Sequence, residues 1–414
     1  MPQDNGLYMP VSIPKLDEQF LNNLDLYTLP EIAFKVAKNL IGDEIPDHDL
    51  TNIINDAINF LAPVVRLEDN VYVLELFHGP SLAFKDFGAR FMSRVMAYFL
   101  EKGEKQLDVL VATSGDTGGA VALGFLGVPN TRVTILYPKG KVSEVQELQL
   151  TTNGKNIRAL EVDGTFDDCQ ALVKKAFTDN ELNKRFRLTS ANSINIARLI
   201  PQTFYYFNAY AQLLKMEINK VVFSVPSGNF GNLGAGLLAW KMGLPVHHFI
   251  AATNVNDTVP EFLKTGIYHP KASVATLSNA MDVGNPSNWV RIADLFKEDK
   301  KQLNQLITGY SYNDDDTLHA INLIHEKSNY IACPHTAIGW KALKDWQNKN
   351  TEIKAAGVFL STAHPCKFQD VYTEELVSKI DLPNQINELG KKDKHSVSIG
   401  TDFEGFKEYL IANN

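Results

Sequence analysis

The chain has 414 residues, 44% of them hydrophobic and 21% charged, which is ample material for two or three domains with large cores. Its net charge of −8 removes the electrostatic case for a nucleic-acid or anionic-membrane partner. The three cysteines, Cys169, Cys333 and Cys366, are too few and too scattered for a disulfide framework or a metal site, and no apolar run is long enough to span a bilayer.

The opening MPQDNGLYMP lacks the basic and apolar regions of a signal peptide, so a cytoplasmic protein is expected. Residues 1–75 read as mostly helical, with candidate helices over 30–41 and 50–61; Pro30 suits a first helical turn, where its missing N–H costs nothing. Residues 71–77 (VYVLELF) read as a strand that Gly79-Pro80 ends. From Asp86 onward, Phe87, Phe91, Val95, Met96 and Phe99 recur at helical spacing, with Asp86 as a cap or first-turn acid. Lys85 therefore lies between phenylalanines at the mouth of a helix. Capping acids beside solvated surface lysines are common. Held against apolar surface near the positive end of a helix dipole, however, the ammonium is disfavoured, and a free amine can attack an aldehyde.

Two strand–turn–helix–strand units follow. In the first, residues 107–112 (LDVLVA) form a buried strand, Thr113-Ser114-Gly115-Asp116-Thr117-Gly118-Gly119 a turn, 120–126 a helix and 133–137 the next strand. A further unit has a strand over 157–162 and a helix over 167–177, and Ser190-Ala191-Asn192-Ser193-Ile194-Asn195-Ile196-Ala197-Arg198 then leads into an aromatic helix over 203–214. The second glycine-rich unit has a strand at 221–225, the turn Pro226-Ser227-Gly228-Asn229-Phe230-Gly231-Asn232, a helix at 233–242 and a strand at 246–252. This alternation predicts parallel sheets with crossover helices. The glycines fit either tight βα turns or cradles whose N–H groups converge on an anion at a helix start. Gly231, Gly234 and Gly236 are out of order for a dinucleotide fingerprint, no acid ends the strand at 246–252, and neither turn carries the G-K-[ST] of a nucleotide phosphate loop. Two such turns together with the lysine point to a phosphorylated ligand.

Residues 276–316 are polar and irregular. Asp314-Asp315-Asp316 suggests a solvated loop with Asp316 capping the next helix rather than a metal cluster. In His247-His248 one imidazole is expected to face inward as a structural group. Cys333 and Cys366 read as core thiols, and neither His335 nor His364 as a general base. Residues 356–361 (AGVFLS) form a strand that delivers Thr362-Ala363-His364-Pro365 at its carboxyl end, where open α/β sheets place ligands.

Taken in order, the segments Gly6-Leu7-Tyr8-Met9-Pro10, His78 to Asp86, Thr113 to Gly118, Ser190 to Asn195, Ser227 to Asn232, Pro334-His335-Thr336-Ala337 and Ser361 to Pro365 resemble the threonine synthase family, in the branch with an extended N-terminal domain. The resemblance covers nearly the whole chain. It implies an α/β protein of the tryptophan synthase β type (fold type II of pyridoxal-phosphate enzymes). Two parallel-sheet domains would flank the cofactor: residues 76–106 with 215–414 as the large domain and 107–214 as the smaller one, beside a mostly helical domain at 1–75. It implies conversion of O-phospho-L-homoserine and water to L-threonine and phosphate with pyridoxal 5′-phosphate. It also hints at a monomer. A related phospho-lyase that releases 2-oxobutyrate would need the same motifs, and a non-catalytic phospholigand binder or a nucleotide enzyme would be rivals of another class.

The resemblance further implies roles by position. Lys85 corresponds to the cofactor lysine and base. Ser227, Gly228, Asn229, Phe230, Gly231 and Asn232 correspond to the cofactor-phosphate cradle. Thr362, with Ser361 as alternative, corresponds to the hydroxyl at the pyridine nitrogen. Ser114, Asp116 and Thr117 lie on the loop expected to meet the substrate carboxylate and the cofactor O3′ side, with Asp116 standing where related folds have Asn. For the substrate phosphate, the planar fork of Arg198 is the leading candidate, joined by Ser81, Asn192, Ser193 and Asn195. No metal is implied.

Overall fold

A computed structural model describes residues 6–100, 106–297 and 299–413. The chain forms two sheets. Strands β1 (Val64–Glu68), β2 (Val71–Glu75), β7 (Val221–Pro226), β8 (Val246–Thr253), β9 (Ile307–Ser311) and β10 (Ala356–Ser361) make a six-stranded sheet in the order β1-β2-β10-β7-β8-β9. Only the β1–β2 hairpin is antiparallel. Strands β3 (Leu107–Ala112), β4 (Thr131–Pro138), β5 (Ile157–Val162), β6 (Arg187–Ser190) and β11 (Val397–Ile399) make a parallel sheet in the order β11-β5-β4-β3-β6.

The sequence explains this division. Strands β3, β7 and β10 are buried at every residue, which demands continuous apolar runs and helices on both faces. Apolar clusters accordingly cover both faces of each sheet. The N-terminal helices Leu29–Ile41 and Asp47–Ala57 bury Ile32, Val36, Leu50 and Ile54 in the same core as the six-stranded sheet. A Thr28/Glu31 capping box starts the first of these helices, with Pro30 in its opening turn.

Strand order then fixes where a ligand fits. In the five-stranded sheet, β4 and β5 lie on one side of β3 and β6 on the other; in the six-stranded sheet, β8 and β9 lie on one side of β7 and β10 on the other. Each reversal opens a crevice at the carboxyl ends of adjacent strands. The first receives the turns after β3 and β6, and the second the turns after β7 and β10.

The C-terminus differs from the sequence expectation. Residues 215–414 were assigned to the large domain, yet β11 pairs with β5, and Phe406 and Leu410 of the helix Phe403–Ala412 enter the core of the five-stranded sheet. A three-residue strand is too short to show an alternation. Among the described residues, no helix is long and apolar enough to cross a membrane.

Candidate active site

The crevices meet in one cavity of about 440 Å³. Its lining includes Lys85, Ser114, Asp116, Thr117, Asn192, Ser193, Arg198, Ser227 to Asn232, and Thr362. Residues distant in sequence converge here because each follows the carboxyl end of a strand.

Lys85 is the first residue of the helix Lys85–Phe99. Phe87 anchors that helix between the rings of Phe60 and Tyr205, at 4.8 and 5.1 Å; burying such a ring contributes about 1.5–3 kcal/mol. The turn before it is stitched to the chain after β10: Phe84 N–H donates to Thr362 O (2.9 Å) and His364 N–H to Leu82 O (3.0 Å), an antiparallel bridge at Ala83 and Ala363. Lys85 and Thr362 thus share one rigid unit. The Lys85 side chain is 15% exposed, with Nζ 5.3 Å from the centre of the Phe84 ring and 3.8 Å from Asp116 Oδ2. Burial pushes its ammonium down to about 8; Asp116 opposes this, while Lys367 and Arg198 add to it.

The turn after β7 is shaped for an anion. Phe230 is in the left-handed region (φ 60°) and precedes the helix Gly231–Lys241. Among the described residues, no backbone N–H from 228 to 232 has a partner. The Asn232 amide oxygen accepts from the Tyr205 and Tyr206 hydroxyls (2.7 and 2.8 Å), which leaves its Nδ2 buried and without a partner. A Cβ on Gly228 would lie 2.6 Å from Met281 Cα, so the neighbouring backbone closes over the turn as only glycine permits. Unpaired donors at a helix start, beside a lysine whose charge burial disfavours, fit a phosphate ester that carries an aldehyde. Thr362 and His335 also line this cavity. His335 accepts from Ala280 N–H through Nε2 (3.1 Å), and burial pushes its imidazole down to about 4. The Ser361 hydroxyl is bonded to Tyr330 and Thr336, both at 3.2 Å, and Ser361 is not among the residues that line the cavity.

The remaining expected residues divide. Arg198 is buried at the cavity wall, its Nη1 donating to Ala191 O and its Nε lacking a partner; burial pushes its guanidinium down to about 10. Asn192 lines the cavity, but its amide is clamped to the end of β3, accepting from Ala112 N–H (3.3 Å) and donating to Ala112 O (2.7 Å). The Ser193 hydroxyl accepts from Asn229 and Asn288 (2.9 and 3.0 Å), tying the loop after β6 to the anion turn. Two residues expected at the substrate do not line the cavity. Ser81 is fully buried, with its N–H on Asp86 and its carbonyl taken by Gln149 and Lys367. Asn195 caps the short helix Ile196–Leu199 through Ala197 N–H.

Sequence reasoning missed Lys367 and Gln146, which both donate to Asp116 Oδ1, at 2.7 and 3.0 Å. The available signal was a lysine two residues beyond the Thr362 to Pro365 motif. The set-aside residues have local roles. His248 is buried, bonded to Thr308 and stacked on Trp346, while His247 is exposed. Asn313, not Asp316, is the N-cap of the helix Asp314–Ser328, and Asp316 returns the bond as the third residue of a capping box.

Comparison with known proteins gives consistent matches. Residues 59–361 match the model for pyridoxal-phosphate dependent enzymes, residues 1–58 that for the threonine synthase N terminus, and residues 336–410 that for the threonine synthase C-terminal part. The chain is 46% identical to threonine synthase from Escherichia coli, over 99% of its own length and 94% of that protein. It is 36% identical to the enzyme from Saccharomyces cerevisiae, over 94% and 89%. The crystal structure of threonine synthase from Escherichia coli superposes with a TM-score of 0.92 at 44% identity, covering 100% of this chain and 95% of that one. A pyridoxal-phosphate-bound threonine synthase from Brucella melitensis gives 0.88 at 34% identity, covering 99% and 93%. Maize serine racemase, 14% identical with a TM-score of 0.59 over 89% of this chain and 97% of its own, shares the fold.

Proposed function

The chain belongs to the threonine synthase family of pyridoxal-phosphate-dependent enzymes, and on that premise we propose how its own residues divide the work. It is a lyase that uses pyridoxal 5′-phosphate to turn O-phospho-L-homoserine and water into L-threonine and phosphate. The observation that carries the assignment of roles is the meeting of Lys85, the unpaired N–H groups of residues 228–232 and Thr362 in one cavity.

With pyridoxal 5′-phosphate bound, the N–H groups of residues 228–232 and Asn232 Nδ2 would hold its phosphate, the Lys85 amine would hold its aldehyde carbon, and the Thr362 hydroxyl would be the partner of its pyridine nitrogen. When bound, the cofactor supplies the electron sink next to the substrate amine. A neutral hydroxyl at that nitrogen, in place of a carboxylate, keeps the sink modest, which suits elimination and replacement. The freed Lys85 amine is the base that removes the proton from substrate Cα and then the proton at Cβ as phosphate leaves Cγ. Water adds at Cβ. A base with a pKa of about 8 serves several such transfers near neutral pH. Arg198 holds the substrate phosphate; Ser114 and Thr117 face its carboxylate. The enzyme acts as a cytoplasmic monomer, and three buried free thiols suit a reducing compartment.

The deciding assay incubates the cofactor-loaded protein with O-phosphohomoserine. Threonine and phosphate should appear in equal amounts; 2-oxobutyrate as the main organic product would replace this reading with a phospho-lyase. Two predictions follow from the roles. Arg198→Ala should raise KM for O-phosphohomoserine roughly 100-fold, the loss of a charge-assisted phosphate contact, with little change in cofactor affinity; an unaltered KM removes Arg198 from the pocket. Capture of the aldehyde needs the neutral amine. Uptake of pyridoxal phosphate by cofactor-free protein should therefore quicken with pH and level off above about 8, whereas an ordinary lysine would keep gaining towards 10.5. Stopped-flow absorbance reads this directly.

A further inference from the structure

Asp116 begins the helix Asp116–Phe125 on the five-stranded side of the cleft, and Lys367 lies in the 3-10 segment Pro365–Val371 that follows Thr362 on the other side. Lys367 is 1% exposed. Its Nζ donates to Asp116 Oδ1 (2.7 Å) and to Ser81 O (3.0 Å). Gln146 donates to the same carboxylate oxygen (3.0 Å), and it reaches there because Gly115, at φ 131°, has no side chain to block it. Oδ1 is thereby saturated, and Oδ2 is left facing Lys85 Nζ at 3.8 Å. Ser81 also closes the turn before Lys85, since its N–H donates to Asp86 Oδ2 (2.9 Å). One buried ammonium thus bridges the turn that carries Lys85 and the turn that carries Asp116.

An isolated carboxylate at this depth would take up a proton, and an isolated ammonium would lose one. Burial works to raise the Asp116 carboxyl, but Lys367 and then Lys85 hold it well below the ordinary range. The other titratable groups facing this cluster are Asp86 from the helix Lys85–Phe99, Arg198 from Ile196–Leu199, Cys333 and His335 at the start of Pro334–Lys349, and His364 and Cys366 on the segment that carries Lys367.

We propose that Lys367 is a positioning residue for the reaction: by binding Asp116 Oδ1 and the Ser81 carbonyl together, it turns Asp116 Oδ2 towards the Lys85 amine and fixes the distance between the two. Lys367 acts through Asp116 and touches neither substrate nor the reacting atoms. The proposal rests on the reading of Lys85 as the cofactor lysine. That reading has its own test, borohydride fixation of the cofactor on the Lys85 peptide of the wild-type protein, so the two can fail separately.

The experiment is a double-mutant cycle on cofactor-loaded protein with Lys367→Met, Asp116→Asn and the double variant. It reads kcat, KM, the melting temperature and the pH midpoint of the bound cofactor's absorbance. Lys367→Met should lower kcat roughly 100-fold, the order expected when a reacting group is misplaced by about 1 Å, with KM for O-phosphohomoserine little changed. It should also move the absorbance midpoint by about one unit, because Lys85 loses a fixed charged neighbour. In the Asp116→Asn background the same substitution should leave kcat nearly unchanged, while the part of the midpoint shift that comes directly from the Lys367 charge should remain. A merely structural ion pair would shift only the melting temperature. Losses that multiply in the double variant, or Lys367→Met with wild-type kcat and midpoint, would overturn the proposal. If Lys367→Met alone does not fold, the comparison of Asp116→Asn with the double variant still decides. Equal kcat supports the coupling, and a further loss of kcat refutes it.

Discussion

Replacing Lys85 by alanine is expected to lower turnover by at least about 10⁴-fold, because one amine both anchors the cofactor and moves the protons at Cα and Cβ, and acid–base catalysis alone is worth 10²–10⁴. Cofactor should still bind through the N–H groups of residues 228–232, which the substitution leaves untouched, but borohydride should fix no pyridoxyl group at position 85. Lys85→Arg should be equally inactive, since a guanidinium keeps its proton and cannot attack an aldehyde. The folding consequence runs the other way. A lysine whose native pKa falls from 10.5 to about 8 binds fewer protons folded than unfolded. Its charged form therefore destabilises the native state below about pH 8, by on the order of 3 kcal/mol. That cost fades as pH rises from about 8 to 10.5. At pH 7 the cofactor-free alanine variant escapes it while losing the packing of the aliphatic stem, so its melting temperature should be no lower than that of the cofactor-free parent. Retention of turnover above 1/100 of the parent would remove Lys85 from the chemistry. A large drop in melting temperature would mean that the side chain is chiefly a structural element.

The parts of this site legible in the sequence are those in which local pattern and burial agree. Strands β3 and β10 are read to the residue, because a strand covered on both faces is a near-unbroken apolar run bounded by turn residues. The helix behind Lys85 is legible from the spacing of Phe87 and Phe91, both buried. What the pattern hides is direction. Ser81 and Asn195 are small polar residues beside informative motifs, yet Ser81 is buried inside a turn with its N–H on the Asp86 carboxylate, and Asn195 is spent as a helix cap. Asn192 reaches the cavity wall with an amide already committed to Ala112. Lys367 is hidden for the opposite reason. Lysine is ordinarily a surface residue, and its carboxylate partner lies in another sheet's turn, so no spacing could pair them.

Glycine shows the same gap between type and place, and Gly228→Ala tests it. In sequence, Gly228 and Gly231 are equal members of one turn. In the structure, a Cβ on Gly228 would stand 2.6 Å from Met281 Cα and 2.8 Å from Ala280 O, both backbone atoms that cannot swing aside. A Cβ on Gly231 would meet its nearest neighbours, Asn288 Nδ2 and Ser193 Cβ, at 3.5 Å, which is ordinary contact. The alanine at 228 must push the segment Asn279–Met281 outward or tilt the N–H groups of the turn away from their common target. Either movement weakens two or three charge-assisted hydrogen bonds to the cofactor phosphate, so affinity for pyridoxal phosphate should fall roughly 100-fold. Gly231→Ala should bind nearly as the parent does. Lys85 lies outside the disturbed segment, so saturating cofactor should restore most of the turnover of Gly228→Ala. Titration of cofactor-free protein followed by absorbance measures all three affinities. Equal losses at the two glycines would mean that the turn tolerates no side chain anywhere. An unchanged affinity at 228 would mean that the phosphate is held elsewhere than on these N–H groups.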